Sequence, residues 1–232
     1  MAARTVVRAL AWGGFSLKRS SELTRLADTL GSDKGTRKAA HHYTRIYEPL
    51  FAPMRQGRLT LLEIGVGADN AASLRMWRRY FPNARLFGFD IEDFTGLTIE
   101  GCEIVRGDMA SASDLARLAE AIGGPIDIVI DDGSHVSHHQ QIALGALFPR
   151  VRPQGLYIIE DLHWQPPGLE CGTVKTRDLL RRFQADGRIE SAVLATAQAE
   201  YLAANIAEAR LYDSTTASPY DARDALAVLV KK

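Results

Sequence analysis

From about residue 59 the chain alternates short apolar runs, most of them closed by a glycine or an acid, with stretches whose apolar residues recur at helical spacing. No other feature constrains the fold as strongly. Strands apolar on both faces must be covered on both, and helices alternating with such strands build an open, doubly wound, parallel sheet. The runs are LTLLEIG (Leu59 to Gly65), RLFGFD (Arg85 to Asp90), CEIVRG (Cys102 to Gly107), IDIVIDD (Ile126 to Asp132) and LYIIED (Leu156 to Asp161). Between them ASLRMWRRYF, SASDLARLAEAIG and HHQQIALGALFPRV have helical spacing, and Pro153 with Gly155 marks a turn into the fifth run. After residue 172 come candidate helices VKTRDLLRRFQ and SAVLATAQAEYLAANI, then late strands around EARLYDS and ALAVLVKK joined by a Pro-containing loop. The expected fold is α/β: a Rossmann-like sheet of seven strands, mostly parallel, with an antiparallel hairpin at its edge and helices on both faces.

Residues 1–57 read differently, as helices flanking a polar loop, GSDKGTRKAAHH, followed by an aromatic helix, YTRIYEPLF. So short a segment could hardly build a core alone, so it is expected as a helical lid on the domain formed by residues 58–232. Lys plus Arg total 28 and Asp plus Glu total 28, which argues against a nucleic-acid binder that relies on a basic surface. Cys102 and Cys171 stand far apart without His or Cys neighbours at ligand spacing, so neither a disulfide framework nor a thiolate zinc site is expected, and a reducing, cytoplasmic compartment is the default. The first twenty residues lack a sustained signal-peptide core, and no apolar run is long enough to cross a bilayer, so stable membrane insertion is not expected.

In a doubly wound sheet, ligands bind beyond the carboxyl ends of the strands. Glu63, Gly65 and Gly67 close the first strand in LLEIGVG, and Asp90 closes the second in LFGFD. Glycines there let the backbone approach a ligand, and an acid at the second strand end can accept from both hydroxyls of a ribose. A dinucleotide fingerprint would carry a third glycine where this chain has Asn70. The E-x-G-x-G spacing instead resembles the first motif of class I S-adenosylmethionine (SAM) methyltransferases. That resemblance implies that the glycine turn takes the methionine part and ribose, that Asp90 holds the ribose, and that Asp108 lies beside the adenine amino group with Met109 packed on the ring. Read alone, Asp108 could equally cap the helix starting near Ser113.

The densest polar cluster is IDDGSHVSHH, Ile130 to His139, after the fourth strand; its partner is IEDLH, Ile159 to His163, after the fifth. Adjacent parallel strands bring these acids into one crevice, and neither motif contains Lys or Arg to offset them. A hard divalent cation bound through oxygen, Mg²⁺ being the economical choice, would relieve the repulsion. The alternative is that Asp131, Asp132 and Asp161 cap loops and helix starts.

Together SDKG, HHYTRIYEPLF, LLEIGVG, SLRMWRRYFPNARLFGFDI, IDDGSH and YIIEDLH resemble the metal-dependent sugar O-methyltransferases of macrolide biosynthesis, the macrocin and mycinamicin type, with the related cephalosporin-hydroxylase-like group. The resemblance implies that Asp132, Glu160 and Asp161 hold Mg²⁺, that His135 is the general base, and that Asp131 serves the cofactor or the loop. Which of Asp131 and Asp132 faces the metal stays open. Asp33, Lys34, His41 and Tyr43 could fold over SAM and the acceptor, or form a solvated loop with a helix cap. His138 and His139 fall where the next helix starts, while His163 is near enough to the acids to touch substrate.

The implied activity is transfer of a methyl group from SAM to a hydroxyl of a sugar or glycosylated natural product, a small-molecule acceptor, with homo-oligomerisation compatible. The rivals are a nucleotide-cofactor oxidoreductase, disfavoured by Asn70, and a non-catalytic SAM-binding protein. The chain departs from the family in having little sequence before SDKG and in the stretch HWQPPGLECGTVKTR, so acceptor and assembly transfer least.

Overall fold

A computed structural model describes residues 21–38, 41–67, 70–166, 168–169, 172–213 and 225–232. The first twenty residues, Cys171 and the Pro-containing loop at 214–224 lie outside the described residues. The strands are β1 (Thr60–Ile64), β2 (Arg85–Asp90), β3 (Cys102–Arg106), β4 (Ile126–Asp131), β5 (Val151–Ile159), β6 (Ile206–Tyr212) and β7 (Leu226–Lys231). They form one sheet in the order β3-β2-β1-β4-β5-β7-β6. Strands β1 to β5 run parallel, and β7 is antiparallel to both β5 and β6. The expected edge hairpin is present, with β7 inserted between β5 and β6.

The two-residue strand period sorts side chains onto two faces. Leu61, Leu86, Ile128, Ile130 and Ile158 face one core, which also holds Leu23 of α1 (Glu22–Leu30), Tyr47 and Phe51 of α2 (Thr44–Phe51), and Trp77 of α3 (Ala72–Tyr80). Leu62, Ile64, Phe87, Phe89, Val129 and Ile159 face the other. There they meet Leu118 of α4 (Ala112–Ile122), Leu144 of α5 (Ser137–Leu147), Leu179 of α6 (Thr176–Asp186) and Leu202 of α7 (Thr196–Asn205). The described part of the N-terminal segment is thus built into the core rather than laid over it. Tyr47 stacks on Phe51 at 5.1 Å between ring centroids, and both meet the Trp77 ring edge-on at 5.7 and 5.6 Å. Fully burying each such ring contributes about 1.5–3 kcal/mol, which fastens α2 to α3.

Two local expectations change. Pro153 and Gly155 do not precede β5; the strand passes through them, with Gln154 at φ +64° and a register shift against β4 between Ile126 and Ile128. Proline in an interior strand survives at such a bulge because the ladder bond it cannot donate is already interrupted. Helix α7 starts at Thr196 rather than near Ser191, where the Gln198 side chain accepts from the Ala195 N–H at 3.0 Å.

The parallel register brings the strand ends level. Ile64 pairs with Phe89 and with Asp131, and Asp131 pairs with Ile159. Gly65, Asp90, Asp132 and Glu160 therefore leave the sheet together, beside the β1/β4 switch point where the strand order reverses.

Candidate active site

A cavity of about 470 Å³ opens at these strand ends. Gly65, Gly67, Asp90, Asp108 and Met109 all line it, as the sequence predicts. Gly65 has φ +88°, and a Cβ there would lie 2.1 Å from the Asp132 carbonyl oxygen, so the β1 and β4 ends close on each other only with glycine between them. Asp90 ties down the turn: its Oδ2 accepts from Val66 N–H at 2.7 Å and Gly67 N–H at 3.4 Å, and its Oδ1 from Glu92 N–H at 2.9 Å. Asp108 does not cap α4, because Ser111 Oγ does so by accepting from Asp114 N–H at 3.3 Å. Its Oδ1 accepts from Ala110 N–H at 2.8 Å while the residue stays on the cavity wall. Two acids at neighbouring strand ends, an apolar wall from Met109 and a glycine-flanked turn at Gly65 and Gly67 fit a nucleoside-bearing cofactor.

At the far end of the same cavity, Asp132, His135 and Asp161 each present one ligand atom within 4.8 Å of the others. Asp161 and His135 hold φ +54° and +58°, backbone conformations costly for residues other than glycine and typical of side chains held in place for function. Two carboxylates at the rim of a cavity suit a hard divalent cation that keeps water or substrate oxygens for its remaining positions.

The acids are not without a cation of their own, contrary to the expectation from their motifs. Lys34, from the loop after α1, is buried with its ammonium bonded to Asp132 Oδ2, 3.0 Å from Glu160 Oε2 and 3.6 Å from Glu63 Oε1. Burial disfavours the charged amine, but Asp132, Glu160 and Glu63 outweigh it and hold the Lys34 pKa well above the ordinary value. Glu160 gives its other oxygen to the Tyr47 hydroxyl, so both of its oxygens are engaged. Tyr43 donates to Asp161 Oδ1, with His41 Nδ1 3.8 Å and His163 Nδ1 4.0 Å from the same atom. Burial and the Asp161 charge push the Tyr43 phenol up.

Lys34 and Tyr43, expected at the cofactor, thus lie beneath the carboxylates instead, because the loop turns Lys34 inward and α2 aims Tyr43 at Asp161. Glu63 is also off the cavity wall; its Oε2 accepts from Ser73 Oγ at 2.7 Å, and burial, eased by Lys34, raises its pKa to about 7. Asp131 is sealed below the turn beside Tyr157, and burial raises it to about 7 as well. Glu160 is not brought into the group formed by Asp132, His135 and Asp161. His139 lines the cavity and pairs with Ser134 Oγ at 2.9 Å. Sequence reasoning missed Tyr47, although its signal was available: it stands four residues after Tyr43 on one helix face, and the two hydroxyls serve consecutive acids.

The sheet order is that of the class I methyltransferases. No protein-family model matches the chain. Within that class the chain is homologous to sugar O-methyltransferases of macrolide and other polyketide pathways. It is 47% identical over 145 residues, 60% of this chain, to 8-demethyl-8-alpha-L-rhamnosyl tetracenomycin-C 2'-O-methyltransferase from Streptomyces olivaceus. It is 32% identical over 212 residues, 84% of this chain, to L-olivosyl-oleandolide 3-O-methyltransferase from Streptomyces antibioticus. The matches span 37% and 53% of those relatives' lengths, so the chain corresponds to about half of them or less. Among solved structures, the MycE methyltransferase of the mycinamycin biosynthetic pathway, in complex with Mg, SAH and mycinamycin VI, superposes with a TM-score of 0.70 at 31% identity. That match covers 92% of this chain and 55% of the other. An O-methyltransferase from Bacillus cereus, in complex with SAH, shares the fold alone, with a TM-score of 0.57 at 13% identity over 93% of each chain.

Proposed function

We propose that the chain carries the catalytic site of a Mg²⁺-dependent, SAM-dependent O-methyltransferase acting on a hydroxyl of a sugar or glycosylated natural product. One observation carries this reading: a single cavity lined by residues at the β1, β2 and β3 ends is also lined by the Asp132, His135 and Asp161 group at the β4 and β5 ends. Relatives named for sugar hydroxyls and a neighbour solved with Mg and SAH support it. Asp90 would hold the ribose, Asp108 the adenine amino group and Met109 the ring face, with Gly65 and Gly67 beneath the methionine part.

Asp132 and Asp161 would hold the cation, while the Glu160 oxygens already accept from Lys34 and Tyr47. When bound, SAM supplies an electrophilic methyl group and Mg²⁺ a positive charge beside the acceptor oxygen. His135 would accept the proton of the acceptor hydroxyl, since both acids beside it would be committed to the cation. Its Nδ1 is buried and has no hydrogen-bond partner among the described residues, and its ring stands edge-on to Trp164 at 5.5 Å. Lys34 and Tyr43 would act on the acids, not on the cofactor. No described helix is long and apolar enough to cross a membrane, and the cysteine usage fits a cytoplasmic enzyme with a small-molecule partner.

Calorimetric titration with S-adenosylhomocysteine, NAD and NADP, with and without Mg²⁺, tests the reading. Binding of S-adenosylhomocysteine that Asp90→Ala abolishes in a folded protein is the expected result. Binding of NAD in its place, or undiminished affinity in Asp90→Ala, overturns it.

A further inference from the structure

The loop that delivers Lys34 is fixed at both ends. The Asp28 carboxylate accepts from Thr36 N–H at 2.6 Å, Thr36 Oγ at 2.7 Å and Arg37 N–H at 3.1 Å. Ser32 N–H donates to Ala27 O at 2.9 Å, and Thr44 N–H donates to Lys34 O at 3.1 Å. From this anchored backbone one ammonium reaches acids belonging to both halves of the site. Glu63 lies on the cofactor side, bonded through Ser73, which lines the cavity. Asp132 lies on the cation side, and its carbonyl closes against Gly65 while its N–H donates to Ile64 O at 2.9 Å.

We propose that Lys34 is a positioning residue whose ammonium neutralises the acids shared by the two halves, and that this makes cofactor binding independent of the divalent cation. The inference rests on the function proposed above. With Lys34 charged, Glu63, Asp132 and Glu160 lie together in a poorly solvated space without forcing the β1 and β4 ends apart. Without it, like charges at short range in low dielectric repel strongly, and the contact between Gly65 and Asp132 that shapes the cofactor cavity bears the strain. A divalent cation on Asp132 would then relieve that repulsion, so cofactor affinity would come to depend on it.

The test is the affinity of the full chain for S-adenosylhomocysteine, by calorimetry, in Mg²⁺ and in EDTA. The wild type should differ less than about twofold between the two. Lys34→Met, close in size but uncharged, should bind at least about fivefold more weakly in EDTA than in Mg²⁺, the lower end of ordinary coupling between sites. A merely structural lysine would weaken binding equally in both conditions and leave that ratio at one. If Lys34→Met does not fold, the Lys34→Met/Glu63→Gln double variant, which removes a charge of each sign, should fold and bind alike in both conditions. A cation-dependent double variant, a folded Lys34→Met without cation dependence, or a wild type already dependent by about fivefold or more, each overturns the proposal. A wild type that binds no S-adenosylhomocysteine in either condition refutes the proposed function and this inference with it.

Discussion

Gly65→Ala should be the most damaging small substitution in the cofactor turn, and its cost can be worked from the geometry. The residue sits at φ +88°, where an L side chain costs about 1–2 kcal/mol. The new methyl would also lie 2.1 Å from the Asp132 carbonyl oxygen and 2.7 Å from its carbon. These are backbone atoms held by the Asp132 N–H to Ile64 O bond, so no side chain can rotate away, and the overlap adds about 1–3 kcal/mol. The total is about 2–5 kcal/mol, a large part of the stability of an ordinary domain. Gly67→Ala is the control: φ there is +71°, but no atom of the described residues lies within 4 Å of its Cβ, so among them only the first cost applies. Urea unfolding of the two variants, read as the change in midpoint at constant slope, should place Gly65→Ala about 1–3 kcal/mol below Gly67→Ala. Equal destabilisation would show that the strand ends open freely and that the close approach does not shape the cavity.

Replacing Asp132 or Asp161 with Asn should abolish Mg²⁺-stimulated methyl transfer to an acceptor found by screening while sparing S-adenosylhomocysteine binding; full turnover in excess EDTA would refute a cation role. His135→Ala should lower turnover by about 10²–10⁴ without loss of cofactor affinity, measured by single-turnover kinetics beside calorimetry. Because burial raises the pKa of Asp131 to about 7, the folded state favours its protonated form. The stability this contributes is full below about pH 4, the unfolded value, and is lost as pH rises through 7; Asp131→Asn should flatten that decline in urea midpoints taken from pH 4.5 to 8. Asp28→Ala removes the acceptor for three hydrogen bonds in the Lys34 loop and should cost about 1–3 kcal/mol, checked by the same unfolding assay.

The order of apolar runs was enough to determine the sheet and the floor of the cofactor cavity. Apolar runs recurring between amphipathic stretches leave few ways to bury both strand faces, and ligand residues at strand ends result from that architecture, so Gly65, Gly67 and Asp90 were legible from spacing, while Asp108 and Met109 were singled out only by the family resemblance. His135 and the acids were legible as a group for the same reason, each lying one to four residues beyond a strand. What surrounds those acids was settled only when distant elements packed together. Lys34 comes from a loop 98 residues before Asp132 and 126 before Glu160, and no local pattern records that a distant ammonium will be folded among them. The same holds for Tyr47 on Glu160 and for Ser73 on Glu63, contacts between elements that only packing brings together. Local periodicity fixes which face a residue takes. The charge that balances a buried acid is a property of the assembled space around it, because in low dielectric the partner must lie within a few ångströms wherever it stands in the chain.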